Sequence, residues 1–251
     1  VRKHQGTGIV HLAVPGLGGL TPAEEYRVNM QGLLNVLEAG RMFGVRRVTV
    51  ASSITVYAGL SRGPFEEGAT LPMESRNSTE GYKKAWEILA LLYGAQTGLD
   101  VQMLRLGGIY GPLYHSMANL ASRLTHAAVR SRPLDLAAGR GGVPFDDDDN
   151  DWCYVKDCAE GIRRAYTAES LPHPIYNIGG GVGASNHELV DAVRAVAPQF
   201  EAKLQPGRNP RARQNNFMDL ARTKAEIGYA PEYDVRRGIA DYASWLKANP
   251  E

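Results

Sequence analysis

Cysteine is nearly absent: Cys153 and Cys158 are the only two among 251 residues. That excludes a disulfide framework and fits a reducing cytoplasm. The C-x4-C pair has no second pair to complete a zinc site, so both are expected as buried packing residues and no metal is expected. Long apolar runs are missing too. None approaches the roughly 20 residues that cross a bilayer, and Val1-Arg2-Lys3-His4-Gln5 carries no apolar signal-peptide core. Nor is there an excess of one charge. The net charge is +1, which gives neither nucleic acid nor a membrane a reason to bind. No solenoid-period repeat or low-complexity tail is present. What remains is 43% hydrophobic and 22% charged, enough for one domain with a small appendage.

The chain enters a short run, Gly8 to Ala13, that reads as a strand buried on both faces. Tyr26, Met30, Leu33, Leu34 and Leu37 follow at helical spacing, and Gly44 stops them. Val45 to Ser52 is a second strand, Thr79 to Gly98 a long helix, and Val101 to Leu106 a third strand. This alternation implies right-handed crossovers and a parallel sheet covered by helices. After Pro112 a helix is expected over about 116–130. Short strands at 151–155 and 175–178 then alternate with helices at 157–166 and 186–196. An irregular stretch over 205–216 precedes two terminal helical segments.

Five segments carry a composite pattern. His11-Leu12-Ala13 ends a strand, and Asn29-x-x-Gly32-x-x-Asn35 lies on the next helix. Ala51-Ser52-Ser53-Ile54-Thr55-Val56-Tyr57 ends the second strand. Lys83-x-x-x-Glu87 lies on the long helix, and Arg105 to Pro112 ends the third strand. Three of the five are strand ends, where an open parallel sheet binds ligands. Taken alone, Lys83 and Glu87 read as an i,i+4 ion pair.

In this order the segments resemble the extended short-chain dehydrogenase/reductases, the group containing UDP-galactose 4-epimerases and dTDP-glucose 4,6-dehydratases. Asp151 to Ala159 is similar to that family's RDFVYVDDVA run, and Tyr176 to Gly181 to its YNIGSG run. Asp219 to Pro231 extends the likeness almost to the end. The resemblance implies an α/β chain: a Rossmann-like parallel sheet flanked by helices, with its N-terminal strands missing, and a small C-terminal α/β substrate domain. Residues 1–112 would be a partial dinucleotide-binding domain. Residues 113–251 would be mainly substrate-binding, with segments returning to the sheet. The family's opening strand and G-x-x-G-x-x-G loop, which hold the cofactor's pyrophosphate, are not among these residues. The chain is therefore expected to be part of a longer protein, and to bind NAD or NADP weakly or not at all by itself. Gly179-x-Gly181-x-x-Ala184 is no substitute, since a lone glycine fingerprint is weak evidence and this one matches the family's substrate-domain loop.

The resemblance also implies chemistry. In the family a Tyr, a Lys four residues later and an upstream Ser or Thr act together: Lys holds the nicotinamide ribose while the tyrosinate takes the sugar hydroxyl proton. Ser53 and Lys83 fall on two of these positions, but the Tyr position is Thr79. Tyr82, Tyr114 and His115 are the other candidates for proton transfer, His115 because imidazole titrates near neutrality. Cofactor contacts would come from His11, Leu12, Ala13, Asn29, Ser52, Lys83, Gly107, Gly108 and Ile109. Substrate contacts would come from Tyr114 and from Asn150, which replaces a family phosphate-binding Arg. Arg208, Arg211 and Arg213 also suit bidentate phosphate binding. Asp146 to Asp149 cannot all converge on one cation and read as a solvated, self-repelling loop.

Two functions stay open at this point. One is an NAD(P)-dependent epimerase, dehydratase or dehydrogenase (an oxidoreductase or isomerase) acting on a nucleotide sugar or another hydroxylated small molecule. It would act as a homodimer paired through the helices near Glu24 and Thr79, where Val36 beside Leu37 and Trp86 beside Ile88 widen the apolar stripe. The other is a non-catalytic scaffold for binding or oligomerisation that lost the Tyr and the glycine loop.

Overall fold

The computed structural model describes residues 1–15, 19–137 and 142–249. The elements run β1 (Gly8–His11), α1 (Pro22–Met42), β2 (Arg47–Ser53), α2 (Ser78–Thr97), β3 (Val101–Leu106), β4 (Gly108–Tyr110), α3 (Leu120–Arg130), β5 (Asp149–Asn150), β6 (Trp152–Tyr154), α4 (Val155–Thr167), β7 (Ile175–Ile178), β8 (Ala184–Ser185), α5 (Asn186–Val196), α6 (Ala221–Ile227) and α7 (Val235–Ala248). One parallel sheet has the order β1-β2-β3-β7. Its strands point the same way, so their carboxyl ends share one edge.

Local chemistry sets the helix limits. Thr21 and Glu24 form a reciprocal capping box at α1, with Pro22 at its first position. Asn77 caps α2, and Gly98 closes it in the left-handed conformation at φ 72°. The helix expected from 116 starts instead at Leu120, because the Asn119 side chain accepts from the Ser122 N–H. The strand expected over 151–155 shortens to Trp152–Tyr154, and α4 starts at Val155. Asp151 is drawn out of the strand pattern by its carboxylate, which accepts from Gly180 N at 2.5 Å and Met218 N at 2.9 Å.

Three of the four buried clusters cover or flank the sheet; the fourth holds Val56, Tyr57, Phe65 and Met218. Leu33 and Leu37 of α1 and Trp86 and Ala90 of α2 cover one face of β2 and β3. Leu104, Tyr176, Ile178 and Tyr229, with Cys153 and Cys158, fill the other. A third cluster, made by α3, α5 and α7 against Tyr110, Trp152 and Tyr154, lies beyond the sheet. Both cysteines are free thiols in the core. Among the described residues, no helix is long and apolar enough to cross a membrane.

Candidate functional site

The carboxyl ends of β1 and β2 place three residues together. Lys83 is buried, and its ammonium donates to the Ala51 carbonyl at 2.6 Å. It lies 4.1 Å over the Trp86 ring. Trp86 stacks in turn on His11, with centroids 5.3 Å apart and planes at 28°. Burial, and after it the Lys83 charge, hold the His11 imidazole below its ordinary pKa. Burial alone brings Lys83 from 10.5 down to about 8. His11 Nε2 and Trp86 Nε1 are buried without a hydrogen-bond partner among the described residues. Trp86 corrects the sequence reading: expected on the dimer face, it is 1% exposed. Its position one helical turn after Lys83, on the same face, was the available signal.

The simple i,i+4 reading of Lys83 and Glu87 is overturned. Glu87 instead pairs with Arg105, Oε2 to Nη2 at 2.7 Å, both buried. Ser52 donates to Glu87 at 2.5 Å, and Arg105 also donates to the Tyr57 hydroxyl at 2.9 Å. That hydroxyl donates onward to Asn177 at 2.8 Å. Ser52, predicted for the cofactor, is thus committed to a buried network tying α2, β3 and β7. Asn29 is similarly occupied: it is buried and donates to the Glu25 carbonyl in its own helix at 2.8 Å.

Ser53 ends β2 and caps the following turn, accepting from Thr55 N at 3.2 Å. Thr79 is half-buried in the first turn of α2, and its hydroxyl makes no hydrogen bond among the described residues. Tyr82 lies in the first turns of α2, where burial and then Glu25 and Tyr26 of α1 raise its phenol pKa. His115 is exposed and lines a cavity of about 400 Å³ with Met117, Arg123, His126 and Leu134, a lining that includes neither Ser53 nor Lys83. Tyr114 is half-buried in the same loop. Leu12 and Ala13 are exposed just past β1, and Ile109 is packed in β4. Gly107 and Gly108 are explained by packing. A Cβ on either would meet Asp151, at 3.1 Å or 3.0 Å. Gly179 has the same cause, since its Cβ would stand 2.6 Å from the Asp151 carboxylate.

The acidic run is not a self-repelling loop. Asp149 pairs with Arg208 and accepts from Asn216 N at 2.8 Å, while Asp148 accepts from Asn209 N at 3.0 Å. These carboxylates hold the 205–216 segment against β5. Asn150 accepts from Asn216 Nδ2 at 3.2 Å. Arg211 is exposed, and Arg213 is half-buried over the Phe65 ring at 4.8 Å.

Comparison with known proteins agrees with this fold. The family model for the NAD dependent epimerase/dehydratase family matches residues 1–179. A dTDP-glucose 4,6-dehydratase of Streptomyces griseus is 27% identical over 223 residues, 87% of this chain and 64% of that protein, so the chain spans less than two thirds of its length. A UDP-glucose 4-epimerase of Thermus thermophilus, solved with NAD, superposes with TM-score 0.80 at 27% identity, covering 98% of this chain and 79% of that one. MoeE5 in complex with UDP-glucuronic acid and NAD superposes with TM-score 0.77 at 25% identity, covering 96% and 79%. A parallel sheet with its ligand edge built from these motifs, and a family match over most of the chain, make this protein a member of the NAD-dependent epimerase/dehydratase family.

Proposed function

We propose that the protein carries out NAD(P)-dependent epimerase- or dehydratase-type oxidoreduction on a nucleotide sugar. The observation that carries this reading is Lys83: a buried ammonium near the carboxyl end of β2, held among the described residues by one backbone carbonyl and by no carboxylate. Ammonium has three donors, so two remain for the hydroxyls of a ribose. The residues therefore fit the nicotinamide end of a dinucleotide, with His11 and Trp86 as the wall beside it. When bound, the cofactor would accept and return a hydride at the sugar carbon.

Lys83 would orient the ribose, and Ser53 would hold the sugar hydroxyl that loses its proton. Thr79 can hydrogen-bond there but is a poor proton acceptor at neutral pH. The proton would go to Tyr82, Tyr114 or His115, or to the substrate's own chemistry. Residues 1–112 would serve the cofactor and 113–251 mainly the substrate, with β7 returning to the sheet. Two buried free thiols support a cytoplasmic location.

A homodimer paired through α1 and α2 is part of this reading. Tyr26, Val28 and Leu34 on α1 and Ile88, Leu89 and Leu92 on α2 are 44–64% exposed, an apolar surface on paired helices. Calorimetric titration of NAD and NADP into the protein and its Lys83→Met variant tests the central assignment. Equal binding by both would remove it.

A further inference from the structure

The cavity of about 400 Å³ beside α3 is lined by three arginines that the proposed reaction does not use. Arg123, Ala127 and Arg130 stand at i, i+4 and i+7 on α3, so they share one face of the helix. The small side chain between the two arginines leaves the floor of the cavity open. Ser131 then turns the chain in the left-handed conformation at φ 49°. The Arg132 N–H donates back to the Ala127 carbonyl at 3.1 Å. Arg132, Pro133 and Leu134 thereby fold over that face and complete the lining with Met117 from the loop before α3.

Two of the three guanidiniums are braced but not neutralised. Arg123 donates to the Asp135 carbonyl, and Arg130 to the Asn249 carbonyl at 2.6 Å. Each bond holds the fork in place and leaves the rest of it free to donate. Arg132 is exposed. None of the three pairs with a carboxylate among the described residues. Asp135 is the one acid among the described lining residues, and its Oδ1 accepts from the Ala137 N–H at 2.9 Å. Three cations on one cavity sum to a positive potential that favours an anion.

We propose that this cavity binds a small molecule through a diphosphate group, at a site separate from the reaction. Guanidinium forks match phosphate oxygens bidentately. One phosphate monoester carries a charge of about −1.5 to −2 at pH 7, so three cations call for a second phosphoryl group. The volume lies within the range of about 300–1,000 Å³ usual for small-molecule sites, and Met117, Pro133 and Leu134 offer an apolar wall to an organic body. Ser53, Lys83, Asn150 and Arg213 do not line the cavity. Its occupancy therefore does not depend on the reaction at Lys83.

Calorimetric titration of inorganic pyrophosphate and inorganic phosphate into the protein and its Arg130→Gln, Arg132→Gln and Lys83→Met variants tests the site. Pyrophosphate should bind at least about tenfold more tightly than phosphate. Each arginine change should weaken it about tenfold, the scale of one charge-assisted contact. Lys83→Met should bind it as the unsubstituted protein does. Arg132→Gln, an exposed change, covers the case in which Arg130→Gln lowers the melting temperature by releasing Asn249. Isopentenyl diphosphate, which adds a short apolar body, should bind at least as tightly as pyrophosphate; weaker binding would overturn the organic part and leave free pyrophosphate as the ligand. No binding of pyrophosphate, or binding that neither arginine change weakens, would overturn the site. Equal affinity for phosphate and pyrophosphate would overturn the diphosphate class. A loss in Lys83→Met as large as in the arginine variants would overturn the separation from the reaction.

Discussion

Lys83 carries a charge into a buried site with one hydrogen-bond acceptor among the described residues, and its lowered pKa reports that cost. The sign follows from proton counting. With a folded pKa of about 8 against 10.5 unfolded, the unfolded chain binds more protons between those values, so stability contributed here rises with pH across that window. Below pH 8 the penalty is constant, on the order of 3 kcal/mol. Urea denaturation from about pH 7.5 to about pH 10.5 should show this rise, and Lys83→Met should flatten it. The same variant should weaken NAD binding by roughly 2 kcal/mol, the scale of charged hydrogen bonds. A variant that binds NAD normally would detach Lys83 from the cofactor. At Thr79, replacement by Val should change turnover less than about threefold, because a hydroxyl without a partner contributes little. If Thr79→Tyr creates epimerase or dehydratase activity absent from the parent, the non-catalytic scaffold becomes the better description.

Between elements, Asp151 is the clasp. Its carboxylate takes the N–H groups of Gly180 and Met218, joining the β7–β8 loop and the segment before α6 to β6. Burial lifts its pKa from 3.8 to about 6 against the pull of those bonds. Asp151→Ala would leave buried donors unsatisfied and should cost about 3 kcal/mol, seen as a shifted urea midpoint. An unchanged midpoint would mean the loops are held by packing alone. The paired helices invite a different measurement. Trp86 is buried in the His11 stack, so the dimer test belongs to the outer face: Ile88→Glu with Leu92→Glu should give monomers by light scattering. An unchanged dimer mass would place the interface elsewhere.

At the scale of the molecule, the motifs along 1–251 were legible because each is short-range: strand, cap, glycine and helix stripe depend on neighbours in sequence. The sheet and its helices, with Ser53 at the end of β2 and Lys83 on α2, could be read from that order. The pairing of Lys83 with Ala51 rather than Glu87 could not, since i,i+4 spacing brings two charges near but does not say which has a better partner across the sheet. Glu87 found Arg105 on β3. Asp149 found Arg208 across 59 residues of chain, which turned an apparently repelling acidic run into a brace. What the sequence by itself determined was periodicity, fixed by residues within a few positions of one another, and family, fixed by the order of short motifs along the chain. The Trp86–His11 stack and the Arg105–Glu87 network were decided by the tertiary structure alone, because burial strengthens whichever charge and ring contacts the fold brings together.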